Sequence, residues 1–173
     1  MYFSKILGVN QIPADGKVIY REAVRGIALD KNLILMIHTS NQDYKFPGGG
    51  IEAGENHLTT LKREFIEETG YLISDEIEFA GTITEQRKDK FEKNTYFCMK
   101  SYYYKCKVIE KIQDQQLDSY EKDLNFKAEF ISFFDAYSNN LSLNIHEMTA
   151  KGSPWVERET VALEYILNNL EEK

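Results

Sequence analysis

Apolar positions along this chain recur with two different periods. Residues 18–29 (VIYREAVRGIAL) and 33–38 (LILMIH) are rich in β-branched and aliphatic side chains, the composition of strands. Asp30-Lys31-Asn32 between them is a tight hairpin signal. A short extended piece, Tyr44–Phe46, ends at Pro47-Gly48-Gly49-Gly50, a run that no helix or strand tolerates. The period then lengthens. Leu58, Leu61 and Phe65 recur at helical spacing and predict one apolar face. That helix opens at Glu55 or Asn56 and runs to about Thr69, where Gly70 stops it.

Ile77–Arg87 and Thr95–Val108 read as two long strands around a charged turn. In the second, Tyr96, Cys98, Tyr102, Tyr104, Cys106 and Val108 share one parity, the pattern of a half-buried strand with its aromatic stripe in the core. Ile112–Asn125 is polar and predicts a loop, Phe126–Ser132 a further strand, and residues 133–138 a short helix. Ser153 at a cap, Pro154 at the first position and acids at 157 and 159 predict a last helix to about Leu170. Strands outnumber helices and the order is mixed, which predicts one sheet flanked by helices.

Length and charge narrow the possibilities. At 173 residues the expected organisation is a single domain over 1–173. No apolar run approaches the roughly 18–20 residues of a membrane span. The start, MYFSKILGVNQIPADGK, lacks a continuous apolar stretch and a small-residue cleavage site. A cytoplasmic protein with no membrane partner is expected. The net charge of -7 disfavours duplex nucleic acid, whose phosphates need a basic surface. It leaves phosphorylated small molecules open, because a bound divalent metal reverses the local field. Cys98 and Cys106 stand about 26 Å apart on a straight strand. They are expected as buried free thiols, and their spacing suggests neither a zinc site nor a nucleophile.

The densest chemistry lies in Gly49–Tyr71, GGIEAGENHLTTLKREFIEETGY. On a helix, Glu64, Glu67 and Glu68 fall within roughly 100° of arc. Acid runs on helices are ordinarily solvated faces. A resemblance to a family motif, in which the glycine loop, Arg63 and Gly70 stand at fixed offsets from the acids, favours a cation site over a solvated face. Carboxylates this close repel one another and raise one another's pKa. A cluster of hard oxygen ligands suits Mg2+ or Mn2+. Gly48, Gly49 and Gly50 let the backbone come close to an ion or a phosphate. Arg63, about 40° from Glu67 around the helix, is placed to hold a carboxylate by paired hydrogen bonds.

This segment resembles the Nudix box, G-x5-E-x7-R-E-U-x-E-E-x-G-U with U apolar, and the preceding FPGGGIEAGE strengthens the match. The resemblance implies an α/β/α sandwich with a mixed β-sheet, the box forming a loop–helix–loop. It implies Mg2+- or Mn2+-dependent hydrolysis of a small nucleotide, a nucleoside diphosphate linked to another moiety. Carried over by position, Glu64, Glu67 and Glu68 are the metal-binding catalytic acids and the Gly48 carbonyl a further ligand. Gly49, Glu55, Arg63 and Gly70 are the motif's structural residues. Tyr71 replaces the usual aliphatic at the last apolar position, and Phe65 is bulky at the first.

Glu64 is the first choice for the general base. Glu85, Glu157 and Glu159 are candidates for a contribution from outside the box. Arg25 and Arg87 are candidates for clamping a phosphate. Substrate choice is expected in the loops Ile112–Asn125 and Leu141–Ser153. A nucleoside triphosphate pyrophosphohydrolase and a non-catalytic nucleotide-sensing domain are the alternatives. Monomer and homodimer both stay open.

Overall fold

The computed structural model describes residues 2–146 and 153–170. Its strands are β1 (Phe3–Gly8), β2 (Lys17–Asp30), β3 (Leu33–His38), β4 (Tyr44–Lys45), β5 (Tyr71–Ile73), β6 (Glu78–Lys88), β7 (Thr95–Lys111) and β8 (Lys127–Ser132). Its helices are α1 (His57–Thr69), α2 (Ser119–Asp123), α3 (Phe133–His146) and α4 (Val156–Leu170). The strand order is β1-β6-β7-β2-β3-β4, with β5 against β7 and β8 against β3. β2 runs parallel to β7, and β1 parallel to β6, while β6–β7 and β2–β3 are antiparallel. The sheet is therefore mixed.

Alternation along the strands sends apolar side chains to both faces. Val24, Ala28, Leu35 and Cys106 pack with Leu61 and Phe65 of α1. On the other face Ile27, Ile34, Met36 and Tyr103 pack with Ala136 of α3 and Ala162, Leu163 and Ile166 of α4. The arrangement is an α/β/α sandwich, as the motif implied. Burial of Leu61 and Phe65 stabilises the docking of α1 by about 1.5–3 kcal/mol each. Gly26 of β2 makes room for them, since a Cβ there would meet the Phe65 ring at 3.0 Å.

The ends of α1 follow local rules. Asn56 caps it, its side chain accepting from the N–H groups of Leu58 and Thr59 at 3.0 Å each. Gly70 ends it in the left-handed region at φ 79, donating to the Ile66 carbonyl at 2.8 Å. The chain also turns on Lys31, φ 55, between β2 and β3.

Several expectations change. Leu58 is exposed rather than part of the apolar face; at that end of the helix it is His57 that meets the sheet, hydrogen-bonded to Tyr104 of β7 at 2.7 Å. The aromatic stripe of β7 is one of two buried faces. Tyr103, of the opposite parity, is fully buried, because helices cover both sides of this central strand. Cys98 and Cys106 are buried free thiols, as expected. The polar segment Ile112–Asn125 contains the short helix α2, closed by a capping box between Asp118 and Glu121.

Helix α3 continues to His146, well past residue 138, so the first part of Leu141–Ser153 is helical. Residues 147–152 of that segment lie outside the described residues. The last helix begins at Val156. Ser153 and Pro154 precede it in a turn, and the Ser153 hydroxyl accepts the Asn41 amide at 2.9 Å. β1 and β5 had no clear signal, being short and partly exposed. No helix among the described residues is long and apolar enough to cross a membrane.

Gly70→Ala is expected to destabilise the fold by about 1–3 kcal/mol. It forces a side chain into a positive φ, with its Cβ 2.2 Å from the Gln113 carbonyl oxygen. Urea denaturation measures the loss.

Candidate active site

The loop Pro47–Gly50 lies between the edge of β2 and the carboxylates of α1. Backbone bonds fix it there. Val24 N–H donates to the Gly49 carbonyl at 3.0 Å, Gly26 N–H to Pro47 at 2.8 Å, and Ile51 N–H to Glu22 at 3.1 Å. The approach is so close that the residue types are dictated. A Cβ on Gly48, φ 136, would stand 2.2 Å from the Val24 carbonyl oxygen. A Cβ on Gly49 would stand 2.3 Å from the Glu64 carboxyl carbon.

Glu68 is the most enclosed of the three box acids, at 2% exposure. It accepts the Gly48 N–H at 2.8 Å and forms a buried ion pair with Lys45 of β4. Glu64, half-buried, accepts Arg63 at 2.9 Å. Burial first, and the Glu68 charge second, push its carboxyl above the usual range. Glu67 is more open and accepts the same Arg63 nitrogen at 3.1 Å.

Arg63 also holds Glu55 in a two-pronged contact, Nε to Oε1 at 2.8 Å and Nη2 to Oε2 at 2.9 Å. Thr60 donates to Glu55 at 2.8 Å. The Arg63 bonds and then Thr60 hold the Glu55 carboxyl down at about 2. One guanidinium thus organises Glu55, Glu64 and Glu67.

Among the described residues, no three His, Cys, Asp or Glu side chains already stand as a metal-holding cluster. The carboxylates instead share Lys45 and Arg63. The donor chemistry nevertheless fits a hard divalent cation. Each carboxylate has about four lone-pair sites, so those of Glu64, Glu67 and Glu68 are only partly used. Burial and mutual repulsion favour added positive charge beside them. The Gly48 carbonyl accepts Arg25, whose guanidinium is buried with its Nε unpartnered.

The site opens into two adjoining hollows that share Gly49 and Glu121. One, of about 370 Å³, is polar and includes Arg63, Glu64, Glu67, Gln116 and Asp118. The other, of about 420 Å³, runs across the opposite sheet face to Phe97, Met99 and Trp155. The segment after β7, which leads into α2, delivers Glu121. Ile112 N–H bonds Gly70, Gln116 N–H bonds Glu67, and the Gln115 amide bonds Glu68, so residues 112–116 strap back along the helix end. Burial, then the Glu68 and Asp118 charges, push the Glu121 carboxyl up to about 7.

The residues expected outside the box separate. Arg25, Arg87 and Glu85 line the larger hollow. Glu85 is buried between Arg158 and Arg87, each 2.8 Å away. Glu159 is fully buried against Arg158 and Tyr103 and forms part of the core beneath. Glu157 is exposed and lines neither hollow. Sequence reasoning missed Lys45, Glu121, Trp155 and Arg158. Trp155 carried a faint signal, as the one tryptophan of the chain next to Pro154. The others carried none.

Comparison with known proteins agrees with this fold. A family model described as the NUDIX domain matches residues 19–156. The chain belongs to the Nudix family, and it is a hydrolase of the kind that acts on pyrophosphate bonds. No curated protein sequence matches it.

Among solved structures it is similar to a NUDIX hydrolase from Nitrosomonas europaea, with a TM-score of 0.55 at 16% identity over 84% of this chain and 88% of that one. It is also similar to a mutator MutT protein from Bacillus halodurans, TM-score 0.48 at 20% identity, over 69% of this chain and 72% of that one. A UDP-X diphosphatase matches with TM-score 0.49 at 16% identity, over 70% of this chain and 55% of that one. At 16% identity the likeness to the Nitrosomonas europaea structure describes the fold alone.

Glu121 makes the metal-free protein's stability depend on pH. Its carboxyl titrates at about 7 in the fold against an ordinary 4.5. Its contribution is full below about 4.5 and lost as pH rises through about 7. Glu121→Gln is therefore expected to raise Tm relative to wild type at pH 8 and to change it little at pH 5. Paired thermal melts without metal read the difference.

Proposed function

We propose that this protein hydrolyses the diphosphate linkage of a nucleoside diphosphate derivative, with Mg2+ or Mn2+ as cofactor. The observation that carries the reading is the convergence of Glu64 and Glu68 on the Gly48–Gly49 backbone, at the junction of a polar and an aromatic hollow. Glu64, Glu67 and Glu68 are the residues that hold the metal, with the Gly48 carbonyl beside them. The metal, when bound, polarises phosphoryl oxygens and lowers the pKa of a bound water.

The chain's own groups do the rest. Arg63 keeps Glu64 and Glu67 oriented by its shared guanidinium. Glu64 takes the proton of the attacking water at its carboxylate, which burial has made more basic than an exposed one. Glu121, facing the same junction, is the second carboxylate basic enough for that transfer. Lys45 and Arg25 put positive charge beside the loop where a diphosphate must lie. The chain acts as one domain over 1–173.

Two other readings have a place. A nucleoside triphosphate pyrophosphohydrolase uses the same carboxylates and differs only in what fills the hollows. A sensing domain without catalysis is disfavoured because all the box acids are present and oriented.

Glu64→Gln and Glu68→Gln are each expected to lower Mg2+-dependent turnover by at least 100-fold, about the scale of losing one essential catalytic group. The assay is phosphate and nucleotide release across a panel of nucleoside diphosphate sugars, dinucleotides and triphosphates. Far-UV CD checks that each variant is folded, since Glu68→Gln leaves Lys45 without its partner. Undiminished turnover in both folded variants would sink the proposal.

A further inference from the structure

The larger hollow differs chemically from the carboxylate cluster it adjoins. Phe97 and Met99 come to it from β7, Phe126 from the approach to β8, and Trp155 from the turn before α4. Trp155 meets Tyr120 and Phe126 edge-to-face, at 6.5 and 6.3 Å between ring centres. Its Nε1 donates to Asp43 Oδ1 at 3.4 Å.

Asp43 is an unusual residue in that position. It is 1% exposed and carries no salt bridge among the described residues. Oδ1 also accepts Thr39 Oγ1 at 2.6 Å, while Oδ2 is buried with no partner. An incompletely satisfied buried carboxylate costs stability, so packing alone does not account for it. The turn that carries it is fixed twice over. Thr39 N–H bonds the Asp43 carbonyl at 3.0 Å, and Asn41 bonds Ser153, two residues before the tryptophan, at 2.9 Å. The turn between β3 and β4 therefore sets where the indole stands.

We propose that the aromatic hollow takes the heteroaromatic base of the substrate, with Trp155 as its stacking partner and Asp43 as the residue that positions the indole. The inference rests on the diphosphate-hydrolase reading above. Every nucleobase offers a π-face to an aromatic side chain, so stacking is base-tolerant. Arg87, whose side chain is 44% exposed, and the Glu85 it bonds are polar groups that line the same hollow as Trp155. Because the two hollows share Gly49 and Glu121, a molecule with its base at Trp155 presents its diphosphate to Glu64, Glu67 and Glu68.

Trp155 is the chain's one tryptophan, so its fluorescence reports this hollow alone. Full-length Glu64→Gln protein is titrated with AMP, GMP, UMP and ribose 5-phosphate. Saturable quenching by at least one mononucleotide, with none from ribose 5-phosphate at equal concentration, is the expected result. No quenching by any mononucleotide, or equal quenching by ribose 5-phosphate, overturns the proposal.

On the best substrate of the wild type, Trp155→Ala is expected to raise KM about 5- to 100-fold, more than kcat falls, with Trp155→Phe recovering most of it. Asp43→Ala is expected to raise KM in the same way and to shift the indole emission. Asp43→Asn keeps an acceptor oxygen and is expected to restore both. An unchanged KM in Trp155→Ala counts against the stacking role. An unchanged KM in Asp43→Ala, or no recovery in folded Asp43→Asn, counts against the positioning role. If Glu64→Gln and Glu68→Gln stay fully active, the hydrolase reading fails whatever the fluorescence shows. If they lose activity and no nucleotide quenches, only the base assignment fails.

Discussion

Everything in this site depends on how closely the Gly48–Gly49 backbone lies against the carboxylates of α1. That contact leaves no room for a side chain at either position. It brings the Gly48 N–H onto Glu68 and the Gly49 backbone onto the Glu64 carboxylate. Both partners of the contact are anchored independently. The loop is bonded to β2 at residues 47 and 49, and α1 is pinned to the same strand by Leu61 and Phe65 over Gly26. A shift of either anchor separates the acids from the loop, so the core beneath α1 is part of the site's geometry.

The charges follow from that constraint. Three acids held at one helix edge repel, and the fold answers with two cations from different directions. Lys45 comes from β4 to the buried Glu68, and Arg63 spans Glu55, Glu64 and Glu67 from within the helix. Neither cation uses up the carboxylates' accepting capacity. Burial first, and the Glu68 charge second, still raise the Glu64 carboxyl, so added positive charge beside the cluster is favoured. A buried ion pair such as Lys45–Glu68 adds little net stability, but losing one partner is costly. Its value here is to fix Glu68 at the point where loop, helix and β4 meet.

The chain's local signals revealed the parts that local rules determine. Asn56 and Gly70 mark the ends of α1 because a cap and a left-handed residue are short-range requirements. The hairpin at Lys31 and the three adjoining glycines are of the same kind. What stayed hidden depends on pairing across long separations. The parallel partnership of β2 and β7 joins residues about 78 apart in sequence, and no periodicity announces it. That partnership makes β7 a central strand whose two faces the helices then cover, so Tyr103 lies in the core although the stripe of even-numbered residues looked like the only buried side. Leu58 shows the reverse error: its spacing is right, but at that end of the helix its neighbour His57 takes the contact with β7 and Leu58 faces solvent.

The same division explains why the bond to be cleaved was legible and the molecule carrying it was not. The cleavage machinery occupies one continuous segment, where spacing encodes geometry. The hollow beside it is assembled from β6, β7, the approach to β8 and the turn before α4, and each contributor is an ordinary residue in its own stretch. Asp43 illustrates the point. In sequence it is one acid in a polar turn. Its significance exists only once the fold sets it beneath Trp155, 112 residues later, with one oxygen buried and unpartnered. Substrate choice in this architecture is thus a property of tertiary contacts converging on a fixed catalytic edge, and such contacts can change without disturbing the box.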